Sequence, residues 1–287
     1  MIVTMHSYKG GTGKTLLSTN LAATFSKQGK NVCLIDLDLR APSIHSIFKA
    51  ENTTSWFNDY LNNGCQIQES LIDLSSNIPG SGKFFVGFAN PSTQAIRDML
   101  TKDRGWEMKA LGKLLELRRT LINSGEFDCV VFDTSPGMQF SSINAIVAAD
   151  LVMVATTGDR SDVEGTRRML IGLYKLFEKK TGIIINKISS ESFCAASWST
   201  RFGNPEFLHP SILGILPCFC DILKAQGKFL YTIENPNHPF TLMLQEIAKN
   251  IMKLMCASSS MREILQDKEI EPQTIVTDIA WNQEMLP

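Results

Sequence analysis

Short, nearly continuous apolar runs alternate along this chain with stretches whose apolar residues recur at helical spacing. The runs fall at residues 2–6, 31–36, 129–132, 151–155, 182–185 and 212–216. Each has strand length and lacks apolar/polar alternation, as expected of parallel strands covered on both faces. Helical patterns occupy residues 16–28, 105–123, 141–149, 162–178 and 241–255, and Gly29 ends the first of them. The alternation predicts an α/β fold with a mainly parallel central sheet flanked by helices on both faces.

The signal weakens between residues 41 and 102, where 56–61 reads as a short helix and 83–88 as a further strand among Asn-, Ser- and Gly-rich loops. A second irregular stretch, 189–210, carries Trp198, Arg201 and Phe202. Insertions at such places form partner-facing surface or a lid. The domain expected from this pattern spans 1–255. An acidic tail follows at 256–287, with Glu263, Asp267, Glu269, Glu271, Asp278 and Glu284 against Arg262 and Lys268.

At 287 residues, 44% hydrophobic and 20% charged, the chain has ordinary globular composition. A formal net charge of −1 does not mark a nucleic-acid binder in bulk, although a local basic patch stays compatible with it. No apolar run reaches the length of a membrane span, and the N-terminus enters a strand at once instead of a signal sequence. The seven scattered cysteines fit a reducing cytoplasm, with Cys33 and Cys129 as buried strand residues.

Candidate chemistry centres on Lys9-Gly10-Gly11-Thr12-Gly13-Lys14-Thr15, set between the first strand and the first helix. Glycines there let the backbone turn tightly with its N–H groups aimed at phosphate oxygens, and the helix that opens with Leu16 offers its positive end. Lys14 can reach β- and γ-phosphates, and the Thr15 hydroxyl can ligate Mg²⁺. The strand Val130-Val131-Phe132 ends in Asp133, a carboxylate suited to holding Mg²⁺ through water. Asp36 and Asp38, two residues apart at another strand end, are expected to face one side and point at the same cation.

In the ordinary phosphate-loop pattern a glycine would stand at position 8; here Tyr8 stands there, followed by Lys9. That second lysine resembles the signature lysine of the deviant Walker A ATPases, the MinD/ParA family. Thr134-Ser135-Pro136-Gly137 resembles that family's switch II, and residues 34–40 resemble its switch I. Residues 138–168, with Ser141-Ser142-Ile143-Asn144-Ala145 and Gly158-Asp159-Arg160-Ser161-Asp162, look especially like MinD-type members. The resemblance covers about residues 1–255, with its motifs in the family's order.

It implies a P-loop NTPase fold, ATP and ADP as ligands with Mg²⁺, and an ATP-dependent homodimer in which Lys9 touches the partner's nucleotide. Asp38 would orient the attacking water, Asp36 would lie in the metal's outer shell, and Gly137 would let switch II move with the γ-phosphate. Asn186 would read the adenine edge, a task suited to its paired donor and acceptor. Pro217 to Phe219 would flank the base. Guanine-specific relatives carry an aspartate where Ser189 stands, which favours ATP.

Turnover is expected to be slow without a separate activating protein, and the biological role to be positioning or partitioning of a cargo. Arg167, Arg168, Lys175, Lys179 and Lys180 could contact DNA nonspecifically, although a solvated helix face explains them more simply. The acidic tail has the wrong charge for a membrane-lying helix. A different class, a metal-carrier ATPase, would use Cys218-Phe219-Cys220, with strand alternation sending both thiols to one face and a dimer gathering four. A third class, a small-molecule ATP-dependent enzyme, lacks support: His6, His45, His209 and His238 are isolated in sequence.

Overall fold

The computed structural model describes residues 1–49, 53–189, 198, 201, 202 and 211–265, with side chains to 256. The tail beyond 265 and most of the 189–210 stretch lie outside the described residues. Eight strands form one sheet: β1 (Ile2–His6), β2 (Val32–Leu37), β3 (Leu71–Asp73), β4 (Phe84–Gly87), β5 (Cys129–Thr134), β6 (Leu151–Thr156), β7 (Lys180–Ile188) and β8 (Ser211–Pro217). Their order is β3-β4-β2-β5-β1-β6-β7-β8, and only β3 runs antiparallel. All residues of β1, β2, β5 and β6 are buried, which is why these strands read as unbroken apolar runs.

The helices sort to the two faces. α1 (Lys14–Lys27) and the long C-terminal helix Pro239–Leu265 bury Leu17, Leu21, Phe25, Phe240, Leu244 and Ile247 against one face. The helix Arg104–Leu117 covers the other with Ala110, Leu114 and Leu117. Phe140–Ala148 adds Ala145 and Ala148 to that cluster. Arg160–Met169 supplies Val163 and Met169 to a third cluster with β6 and β7. Gly29, at φ 87°, ends α1 in a left-handed turn, as its position predicts.

The sequence reading left several elements out. β3 is a three-residue, half-exposed edge strand. The helices Ile44–Phe48, Thr93–Leu100, Cys220–Ala225 and Tyr231–Glu234 are short. Two helices predicted to continue regularly instead widen into single π turns, Arg118–Ile122 and Leu170–Tyr174. Cys33 and Cys129 are buried in strands, as expected.

The parallel topology decides where a site can lie. β1 is central, paired with β5 on one side and β6 on the other, so the chain leaves its carboxyl end between neighbours whose connections run to opposite sides. A ligand crevice opens at such a switch point.

Candidate nucleotide site at the carboxyl ends of the strands

The loop between β1 and α1 turns through two left-handed glycines, Gly11 at φ 77° and Gly13 at φ 96°. A Cβ on Gly13 would stand 2.4 Å from the Asn186 side-chain nitrogen, so the position is closed to larger residues on conformational and steric grounds alike. Asn186, at the end of β7, donates from Nδ2 to the Thr12 carbonyl at 2.8 Å. Lys187 Nζ donates to the Gly11 carbonyl at 2.7 Å. These two residues brace the loop from outside, while the amides at the start of α1 remain directed into the crevice.

Lys14 is buried, and its Nζ donates to Ser7 Oγ at 2.9 Å. Burial lowers its pKa, and the charges of Asp133, Asp38 and Asp162 oppose that shift. An ammonium held this deep among carboxylates but without an ion pair of its own is prepared for an anion. Thr15 Oγ1 donates to Asp133 Oδ2 at 2.7 Å, which joins the helix start to the end of β5.

Asp133 is fully buried and its Oδ1 has no hydrogen-bond partner. Burial raises its pKa to about 6 against the lowering effects of Thr15, Lys14 and Ser18. Thr12 Oγ1 and Asp162 Oδ1 are likewise buried without partners. Unsatisfied buried polar atoms are rare in finished cores; of the six among the described residues, three belong to the phosphate loop and to acids whose charge Lys14 feels, a set that suits a phosphate and a cation. Among the described residues no three His, Cys, Asp or Glu side chains come together closely enough to hold a metal. The donor set therefore suits Mg²⁺ carried by the Thr15 hydroxyl, phosphate oxygens and water, with Asp133 in its surround.

Asp36 lies beside Asp133 in register on adjacent strands. Its Oδ1 accepts the Asp38 N–H at 3.0 Å, and its Oδ2 accepts Ser43 N–H at 3.4 Å and Ile44 N–H at 3.3 Å. It folds the following loop back on itself, and burial beside Asp133 raises its pKa. Asp38, one residue past the end of β2 at Leu37, adds its charge to those of Asp36 and Asp133 but takes no part in the Asp36 Oδ2 contacts with the loop. Asp38 Oδ1 instead accepts Ser135 Oγ at 2.6 Å, linking the two loops that resemble switch I and switch II. Arg40 is exposed, and its charge is felt by buried Glu107 on the helix behind it.

A cleft of about 380 Å³ continues from Gly13, Thr15 and Leu16 to Asn186, Pro217 and Phe219. Pro217 and Phe219, expected to flank a base, both line this cleft. Ser43, Ile47, Leu223 and Phe229 also line this cleft; sequence reasoning missed them because they lie in, beside or between short helices that it did not detect.

Lys9 is exposed and pairs with Asp159 at 3.1 Å, and it also donates to Ser161 Oγ. The thiol geometry expected of Cys218 and Cys220 does not occur: β8 ends at Pro217, Cys220 starts a helix, and both are exposed. Among the candidate DNA contacts, Arg167 and Arg168 both pair with Glu164, and Lys179 Nζ donates to the Val147 and Ala149 carbonyls.

A three-layer parallel sheet with a lysine-bearing phosphate loop between β1 and α1 defines a P-loop NTPase. Residues 1–186 match the family model described as an AAA domain. The Thermotoga maritima septum site-determining protein MinD is 25% identical over 257 residues, covering 87% of each chain. Pyrococcus horikoshii MinD, solved with Mg-ADP, superimposes with a TM-score of 0.70 at 19% identity, covering 88% of this chain and 96% of its own. A Borrelia burgdorferi putative plasmid partition protein bound to AMPPNP gives a TM-score of 0.63 at 20% identity, with 88% and 98% covered. The chain belongs to the MinD/ParA family of P-loop ATPases. Among the described residues no helix is long and apolar enough to cross a membrane.

Proposed function

We propose that this chain binds ATP with Mg²⁺ in the crevice, hydrolyses it slowly, and uses the loaded state to pair with a second copy that positions or partitions a cargo. The observation that carries the reading is the buried Lys14 acting on Asp133, whose one oxygen holds Thr15 at the wall of the cleft while the other has no partner. The relatives solved with Mg-ADP and AMPPNP support the choice of ligand.

Lys14 and the amides of residues 10–15 hold the phosphates. Thr15 and Asp133 provide for Mg²⁺, with Asp36 and Asp38 in the same acidic surround. The cation would neutralise charge on the phosphates, the main requirement of phosphoryl transfer. Asp38, steadied by Ser135, orients the attacking water. Asn186 holds the loop through Nδ2 and offers its carbonyl oxygen to the adenine amino group, between Leu16 and Pro217.

Lys9 stands at the rim in a solvent-exposed pair with Asp159, which a partner's phosphate can replace at little cost. Pairing of two copies would present Lys9 to that phosphate. A separate activating protein and the cargo are partners of this dimer; the cytoplasm is its compartment. The ATPase domain covers residues 1–255, and the helix Pro239–Leu265 runs on past that boundary.

Size-exclusion chromatography with light scattering tests the switch. Wild type with ATP and Mg²⁺ shifts to a dimer, Asp38→Ala accumulates it because turnover is blocked, and Lys9→Ala stays monomeric while still binding nucleotide. A monomer under all three conditions, with ATP demonstrably bound, would falsify the dimer switch.

A further inference from the structure

His6 closes β1 immediately before the phosphate loop and is wholly buried. Its Nε2 lies 2.7 Å from the Gly137 carbonyl oxygen, and its Nδ1 lies 2.6 Å from the Tyr174 hydroxyl. A carbonyl can only accept, so Nε2 carries the hydrogen and Nδ1 takes the tyrosine's. The Tyr174 ring meets the imidazole edge-on at 5.9 Å and is itself buried, on the π turn that follows the helix Arg160–Met169. Burial lowers the His6 pKa to about 4 and raises that of Tyr174, so both groups stay neutral and the direction of each hydrogen bond is fixed.

Gly137 is held from both sides. Its N–H donates to the Ser7 carbonyl at 2.9 Å while its own carbonyl accepts from His6, and its φ of 73° is the left-handed conformation that glycine allows. Ser7 also accepts Lys14 Nζ through its hydroxyl. His6 at the end of β1 and Ser7 just past it therefore grip the phosphate lysine and the switch II glycine together. If Gly137 is to turn its N–H toward a terminal phosphate, it must leave Ser7, and the His6 ring determines whether its carbonyl can follow.

We propose that His6 is a positioning residue for switch II: its ring, oriented by Tyr174, holds the Gly137 carbonyl and sets how readily the loop turns toward a terminal phosphate. The outcome is that discrimination between ATP and ADP depends on a tyrosine 168 residues away in sequence from the histidine it orients. This rests on the reading that the crevice takes ATP, because only a γ-phosphate distinguishes the two poses of Gly137.

Two arms test it. In nitrogen-15 NMR of the wild-type ring at neutral pH, His6 shows the Nε2–H tautomer, and Tyr174→Phe, which leaves the Gly137 carbonyl in place, keeps that tautomer but shifts the Nδ1 resonance as its hydrogen bond is lost. An Nδ1–H or doubly protonated ring in the wild type overturns the proposal whether or not nucleotide binds. In calorimetry with Mg²⁺, Tyr174→Phe and His6→Leu raise the affinity for a non-hydrolysable ATP analogue relative to ADP by roughly three- to tenfold, the scale of one hydrogen bond. Affinity for ADP stays put, and His6→Gln, which keeps a donor near the Nε2 position, restores the wild-type ratio. An unchanged ratio in a cooperatively melting Tyr174→Phe protein overturns the proposal, as does an equal loss for both nucleotides. Wild type that binds neither nucleotide would instead defeat the ATP reading, and the tautomer arm would still decide the role of His6.

Discussion

Two carboxylates at opposite ends of the same sheet have opposite surroundings. Asp150, at the amino end of β6, is raised by burial, but the hydrogen bond from Arg118, the Ile2 N–H and the charges of Arg118 and the N-terminus outweigh it and hold the pKa down. Its contacts are tight: Arg118 at 2.8 Å and Ile2 N–H at 2.8 Å. Asp133, at the carboxyl end of β5, is buried with one oxygen unpartnered and a pKa pushed up to about 6. The Asp150 end satisfies its charge within the fold; the Asp133 end leaves charge for something else to satisfy. A fold tolerates the second arrangement where function requires it, at some expense in stability.

The largest effect expected on this contrast comes from Lys14→Ala. It leaves the acidic cluster without its main internal cation and lowers nucleotide affinity by about 100-fold or more, equivalent to about 3 kcal/mol. Equilibrium titration with a fluorescent ATP analogue reads it directly.

Asp133→Asn should separate stability from function. Because the folded pKa exceeds the unfolded one, near 3.8, the native state binds the extra proton between pH 4 and 6, and this group's contribution to stability falls as pH rises through that window. Above about pH 6 the nucleotide-free Asn variant is therefore more stable than wild type by about 1–3 kcal/mol, and the difference closes toward pH 4. The same variant loses Mg²⁺-dependent gain in nucleotide affinity. Denaturant melts across pH, with and without MgATP, check both halves.

Asp150→Asn shows the opposite sign. A lowered folded pKa means its stabilisation is present above the unfolded value and lost as pH falls, so the variant is less stable at neutral pH and nearly equal to wild type in acid. Arg118 is half-exposed, so solvent screening holds the neutral-pH loss to about 1–2 kcal/mol. The smallest effect is at the rim. Asp159→Asn removes the exposed charge pair with Lys9 and the negative charge at the start of the helix Arg160–Met169, but keeps an oxygen for the Ser161 and Asp162 N–H groups that it caps, so the thermal midpoint falls only slightly, and less in high salt.

The same contrast explains how much could be read from the chain itself. Strands covered on both faces announce themselves as apolar runs, so β1, β2, β5 and β6 were legible. β3 was not, because a three-residue edge strand with one exposed and two half-exposed positions has no such run. Within the site, Lys9 to Thr15 and Asp133 could be found because their chemistry lies in consecutive residues or at a strand end. Asp36 and Asp38 were visible as acids, but the Ser43 and Ile44 N–H groups on one and the Ser135 hydroxyl on the other are contacts that periodicity cannot place. Asp162 was visible only as part of a run resembling the family, His6 only as an isolated histidine, and Tyr174 not at all. Their roles arise from tertiary contacts: Asp162 accepts Thr157 N–H at 2.7 Å while its other oxygen stays bare near Lys14, and His6 meets a tyrosine across the sheet. Cys218 and Cys220 show the converse hazard, since the alternation argument lapsed where the strand stopped.

The claim on which the rest depends is that the crevice at the carboxyl ends of β1, β5 and β7 is completed by a nucleotide triphosphate and Mg²⁺. Isothermal titration of ATP into the wild-type protein, with Mg²⁺ and again with a chelator, tests it most directly. One nucleotide per chain, bound more tightly with the cation and lost in Lys14→Ala, is the predicted result. A folded wild-type protein that takes up no ATP, or a Lys14→Ala protein that binds it equally well, would contradict the account.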